Sequence, residues 1–234
     1  MSYYAKAIFW YMQGRKSYTR TAFEISSTNF RSLDDYDAKN MSFMVTGGST
    51  GIGRAVALSL SKKRGTNVHI VCRNKKNGEE TLEAIKNEKH PESEAFLHLV
   101  DLSDPIEVTK FSKNFISQGY KLNVLINNAG VLSNTLEYNR WGIERSFCLN
   151  VLAMYILTRD LGQHLVSSSN NLTKPRVIFV SSGGMLTSSL KHEKPDFVPI
   201  PFDGVAVYAH HKRQEVVLAD IFSDLHSDIH FSSM

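Results

Sequence analysis

Tyr208 and Lys212 stand four residues apart in Tyr208-Ala209-His210-His211-Lys212, opening a stretch in which Val217, Ile221 and Leu225 recur every fourth residue. On a helix this spacing puts the phenol and the ammonium on one face. A free phenol titrates at about 10, too high for a base at neutral pH. A neighbouring ammonium favours the phenolate and lowers that value. The tyrosine then serves as general acid or base towards a hydroxyl or carbonyl oxygen. Ser182, in Val180-Ser181-Ser182-Gly183-Gly184, can hydrogen-bond the same oxygen and hold a substrate in place. The helix is expected to turn His210 and His211 away from the pair, to the surface. Tyr-x-x-x-Lys alone fits a surface contact equally well, so its meaning depends on its company.

That company begins with Thr46-Gly47-Gly48-Ser49-Thr50-Gly51-Ile52-Gly53. The apolar Phe43-Met44-Val45 precedes it, and Arg54 to Leu60 leave it at helical spacing. Glycine tolerates positive φ and lets backbone approach a bulky anion. The open N–H groups and dipole of the following helix then make a phosphate site. The spacing Gly-x-x-x-Gly-x-Gly differs from the broader dinucleotide fingerprint Gly-x-Gly-x-x-Gly. Asn127-Asn128-Ala129-Gly130 supplies a second small-residue turn, the other half of a cofactor crevice.

The positioning elements follow from hydrophobic pattern. Strands are expected at 42–46, 67–72, 95–100, 122–126 and 176–181, and helices at 52–63, 78–89, 105–117 and 141–166. Near-continuous apolar strands alternating with helices predict an α/β fold with a doubly wound parallel sheet, Rossmann-like, whose ligand crevice lies at the carboxyl ends of the strands. Asp101-Leu102-Ser103 follows the third strand, where Asp101 can meet an adenine amino group and Ser103 or Asp104 can cap a helix. After the second strand comes Cys72-Arg73, with no carboxylate to hold ribose hydroxyls. Arg73 instead offers a charge-assisted grip on a 2′-phosphate, which favours NADP over NAD.

The 234 residues carry 27 Lys and Arg against 23 Asp and Glu, a formal net charge of +4 without the broad basic stripe that nucleic acid requires. Cys72 and Cys148 read as buried free thiols, neither a disulfide nor a metal set, and fit a reducing, cytoplasmic setting. Residues 1–40 read as an extension to the domain at 41–234. Its aromatic start, residues 1–16, is too short to span a bilayer. It reads as a helix packed on the domain or, alternatively, as a membrane-surface anchor.

Together Thr46-Gly47-x-x-x-Gly51-Ile52-Gly53, Asn127-Asn128-Ala129-Gly130, Ser182 and Tyr208-x-x-x-Lys212 resemble the short-chain dehydrogenase/reductase family. The resemblance covers 41–234. It implies that Asn150 anchors a water linking the lysine to solvent and that Ser49, Thr50 and Ile52 meet the cofactor phosphates. Gly47, Gly51, Gly53, Asn127, Ala129 and Gly130 would complete the cradle. Tyr208 would be the acid/base, and Lys212 would lower its pKa and bind the nicotinamide ribose. The implied activity is hydride transfer between a nicotinamide and a small apolar alcohol or carbonyl, in a chain that can self-associate. The family continues beyond a sixth strand into a Pro-Gly turn, a substrate lid and a last strand. The sequence as given lacks them, so an unstable, catalytically inactive nucleotide-binding remnant is the alternative expectation.

Overall fold

Five consecutive buried residues, Ser42–Thr46, form the central strand β1. Alternate side chains point to opposite sides of the sheet. Met44 joins the cluster of Leu125, Phe179, Leu157 and Phe222, whereas Phe43 and Val45 pack with Val124, Ile126 and Ala38 on the other side. A strand apolar on both faces needs helices over both, and the chain supplies them. The computed structural model describes residues 8, 12, 14, 19–30, 32, 35–169 and 174–234.

In chain order the elements are α1 (Arg20–Ser27), β1, α2 (Gly51–Ser61), β2 (Asn67–Cys72), α3 (Lys75–Glu88), β3 (Glu94–Leu99), α4 (Pro105–Ser117) and β4 (Val124–Asn127). There follow α5 (Arg145–Phe147), a π-helical segment (Cys148–Leu152), α6 (Ala153–Ser168), β5 (Arg176–Phe179), a 3₁₀ turn (Gly183–Thr187), α7 (Gly204–Leu225) and β6 (His230–Ser233). The sheet is six-stranded in the order β3-β2-β1-β4-β5-β6, and each neighbouring pair is parallel. The strand order reverses between β1 and β4, which opens a crevice at their carboxyl ends.

Helix starts are written in short polar side chains. Asn74 Oδ1 accepts from Asn77 N to cap α3, and Asp104 Oδ1 accepts from Ile106 N and Glu107 N to cap α4, with Pro105 in its first turn. Asp203 Oδ1 accepts from Val205 N and Ala206 N to cap α7.

The doubly wound parallel fold stands as expected, with β6 His230–Ser233 hydrogen-bonded to β5. The long helix expected from Trp141 starts later, at Arg145. Tyr138 pairs with Glu144 in an antiparallel bridge, and Gly142 turns at φ 72°. Glu144 then caps α5 through Ser146 N and Phe147 N. Both readings of residues 1–16, a helix packed on the domain and a membrane-surface anchor, fall outside the described residues apart from residues 8, 12 and 14. Among the described residues no helix is long and apolar enough to cross a membrane.

Candidate active site

A crevice of about 590 Å³ runs over the carboxyl ends of the strands. Cys72, Arg73, Asn74 and Asn77 line one end, Gly47, Ser49, Thr50, Gly51, Ile52 and Asp101 its middle, and Asn128, Ala129, Gly130, Val180, Tyr208 and Lys212 the other. The sequence-distant motifs therefore meet in one place.

The floor is shaped for close approach by a ligand. Gly47 sits at φ 63°, and a Cβ there would come within 2.9 Å of Ala129 Cα. Thr50 precedes α2 without a side-chain cap bond, which leaves the first-turn N–H groups facing the crevice for an anion. Arg73 is exposed at the rim, where a charged phosphate would sit. Asp101 also lines the crevice, although its Oδ1 accepts from Ser103 N at 3.0 Å and Ser103 Oγ at 2.7 Å.

Three expected site residues take other places, and a fourth, Asn150, lies in the floor near Lys212. Gly53 is buried beneath the turn, where a Cβ would lie 2.4 Å from Gly47 O, so it serves packing of helix on turn. Asn127 is fully buried and donates through Nδ2 to Thr158 Oγ1 at 3.2 Å, tying β4 to α6. Its neighbour Asn128 lines the crevice instead, because successive residues leave a strand on opposite sides. Ser182 caps the 3₁₀ turn, accepting from Gly184 N at 3.3 Å, and stands outside the crevice lining. Ser181 lines it, but its hydroxyl donates to Lys212 O at 2.7 Å. Asn150, fully buried on the π-helical segment, accepts through Oδ1 from Val131 N at 2.8 Å and donates through Nδ2 to Val131 O at 2.9 Å. It thereby fixes the strand end beside Gly130 rather than facing the crevice directly.

Lys212 is 2% exposed. Its Nζ donates to Val180 O and to Glu215 Oε1, each at 2.8 Å, and lies 5.5 Å from the centroid of the Tyr208 ring. The phenol is not lowered as expected. Burial, and then the Glu215 carboxylate, raise Tyr208 above its ordinary value. Burial is the larger cause, and Glu215 adds to it while offsetting the ammonium at contact distance. Burial pushes Glu215 itself up to about 8, partly opposed by Lys212.

His210 and His211 are buried, contrary to the surface placement expected of them. Helix α7 is covered on more than one side, by the π-helical segment and by the chain at 183–203. His210 Nε2 accepts from Lys191 N at 3.1 Å. His211 Nδ1 lies 3.2 Å from Asn150 Nδ2, and its Nε2 lies 4.0 Å from Glu144 Oε2. Burial holds His211 down at about 3, hence neutral. Sequence reasoning also missed Thr46 and Glu215, whose signals (a threonine before glycine, a carboxylate one turn past a lysine) are ordinary in themselves. Cys72 and Cys148 are buried free thiols, as read, and burial raises both. No group of three or more metal-ligating side chains is gathered among the described residues.

The chain is similar to known proteins over much of its length. Residues 42–191 match the short chain dehydrogenase family. The chain is 43% identical over 235 residues to dehydrogenase/reductase SDR family member 12 of Homo sapiens, covering 100% of this chain and 72% of that protein. It is 32% identical over 148 residues to retinol dehydrogenase 12 of Mus musculus, covering 63% of this chain and 45% of that one. Among solved structures, the RhlG/NADP active-site complex of Pseudomonas aeruginosa superposes with a TM-score of 0.64 at 21% identity, covering 83% of this chain and 71% of that one.

Proposed function

Because the chain belongs to the short-chain dehydrogenase/reductase family, a family of oxidoreductases, we propose that it binds NADP and interconverts a small apolar alcohol and its carbonyl. The observation that carries this is the meeting of the glycine turn, Arg73 and the Tyr208–Lys212 pair in one crevice. When bound, the cofactor supplies or accepts the hydride at the substrate carbon. The chain's own residues do the rest. Gly47 to Ile52 hold phosphate through backbone N–H groups. Arg73 grips the 2′-phosphate, a contact a carboxylate at this point would oppose. NAD remains the weaker ligand.

Tyr208 exchanges a proton with the substrate oxygen. Its hydroxyl donates during carbonyl reduction and accepts during alcohol oxidation. Lys212, with two of its three N–H groups committed to Val180 O and Glu215, keeps a third for a ribose hydroxyl. Ser182 would have to swing from its cap on the 3₁₀ turn to reach substrate, and Asn150 supports the floor beside Lys212. Leu149, Val131 and Val180 give the nicotinamide end an apolar wall, which suits an apolar substrate. The identity to a retinol dehydrogenase supports that class. We place the protein in the cytoplasm on its buried thiols. Self-association and membrane-surface contact through 1–16 belong to the same proposal, and nucleic acid does not.

The second reading is nucleotide binding without turnover. The raised phenol of Tyr208 and the cap-bound Ser182 favour it. Fluorescence titration with NADPH, followed by a panel of aldehydes and ketones monitored by NADPH consumption, separates the two. The proposed activity requires both saturable binding and turnover of apolar carbonyls. Binding with no turnover across the panel supports the second reading.

A further inference from the structure

Glu215 is a fully buried carboxylate that the proposed chemistry leaves without a task. It sits one turn beyond Lys212 on α7, with Oε1 at 2.8 Å from Nζ and Oε2 buried without a hydrogen-bond partner. A buried charge is costly unless paired, and a buried pair is poor evidence of stabilisation, since apolar side chains of similar volume often do as well. Ala219 and Phe222 show that α7 buries apolar side chains nearby.

We propose that Glu215 is a positioning residue of the active site, clamping the Lys212 ammonium against Val180 O and setting the net charge that Tyr208 feels. The inference rests on the reading of Tyr208 as acid/base. The geometry leaves Lys212 little alternative placement. A Cβ at Gly130 would lie 3.2 Å from Nζ, so this glycine leaves the ammonium its space, while Val180 O and Glu215 hold it on other sides.

Other titratable and polar groups lie around this part of α7. On α7 itself they are Tyr208, His210 and His211, and burial lowers both histidines. Ahead of α5 stands Glu144, 4.0 Å from His211 Nε2. From the π-helical segment come the Asn150 amide and the Cys148 thiol, which burial pushes up to about 11. From β5 come the backbone of Val180 and the Ser181 hydroxyl. Burial raises Tyr208 first, and Glu215 is the charge that adds to it.

The sign follows directly. An ionised Glu215 disfavours the phenolate, so removing that charge makes Tyr208 more acidic. Glu215→Gln keeps the shape and a hydrogen bond to Lys212 but removes the charge. At an effective dielectric of about 20, one unit charge at this range moves a neighbouring group by on the order of one pH unit.

The phenol can be read without turnover, from the ultraviolet difference spectrum of each protein minus its Tyr208→Phe counterpart, titrated with alkali. In Glu215→Gln the Tyr208 midpoint is expected about one pH unit below wild type, and in Glu215→Asp, which retains a charge, near wild type. The pH profile of alcohol oxidation in Glu215→Gln should rise correspondingly earlier. Coincident midpoints in wild type and Glu215→Gln overturn the proposal, and so does an equal shift in Glu215→Gln and Glu215→Asp, which marks a structural effect. A shifted midpoint in proteins that turn over no substrate upholds the role of Glu215 while removing the catalytic reading.

Discussion

Thr46 and Asn128 are tied to each other twice. Thr46 Oγ1 accepts from Asn128 N at 2.9 Å, and Asn128 Nδ2 donates to Thr46 O at 2.9 Å. The same Oγ1 accepts from Ala129 N at 3.0 Å. These bonds join the ends of β1 and β4 where the strand order reverses, so the phosphate turn and the Ala129-Gly130 wall form one unit. Thr46→Val keeps the shape and strands the Ala129 N–H, while Asn128 N keeps its bond to Ile126 O. An unsatisfied buried donor costs about 1–3 kcal/mol. Urea unfolding should register a loss of that size, together with weaker NADPH binding. Unchanged stability and affinity would show that the crevice does not depend on this tie.

Cofactor choice turns on Arg73, at the rim of the crevice after β2. Charge-assisted hydrogen bonds contribute about 1.5–3 kcal/mol, so wild type should bind NADPH at least tenfold more tightly than NADH. Arg73→Glu should reverse the order, since the carboxylate repels the 2′-phosphate and can accept from ribose hydroxyls. Equal dissociation constants for the two cofactors in wild type would remove Arg73 from this role.

The fold was legible wherever burial on both faces left a near-continuous apolar run. Ser42–Thr46, Asn67–Cys72 and Pro105–Ser117 match the expected bounds, and the other strands differ by one or two residues at an end. The helix expected from Trp141 started late because a bridge between Tyr138 and Glu144 depends on contacts that periodicity does not carry. At the site, the motif residues could be read, but their facing could not. Asn127 and Asn128 look equivalent in sequence, and only strand alternation decides which one meets the crevice. His210 and His211 looked like surface residues because a helix wheel gives one buried face. Packing from the chain at 183–203 buries another.

Away from the crevice, buried His69 pairs with half-buried His98, Nδ1 and Nε2 3.0 Å apart, among Phe96, Phe111, Phe115 and Tyr120. Burial, with His98 adding to it, holds His69 at about 3, and burial holds His98 at about 4. Both values are depressed, so the unfolded chain binds more protons below its own value of about 6.5. Their stabilising effect is complete above that pH and is lost as pH falls from there towards 4 and 3. On account of His69 alone, stability should fall by about 2 kcal/mol between pH 7.5 and 5.0. His69→Phe should flatten this part of the pH dependence in urea unfolding. An equally steep loss in that variant would place the acid sensitivity elsewhere.

The most direct test of the proposed chemistry is a comparison of wild type with Tyr208→Phe, measuring NADPH dissociation constants and NADPH consumption with an apolar ketone or aldehyde. The substitution removes one hydroxyl from a side chain lining the crevice. General acid catalysis contributes roughly 10²–10⁴-fold. The account predicts a rate lower by at least about a hundredfold with cofactor affinity nearly unchanged, whereas Lys212→Ala should lower both. A Tyr208→Phe protein that reduces the same carbonyl at close to the wild-type rate would contradict the assignment of Tyr208 as the proton donor.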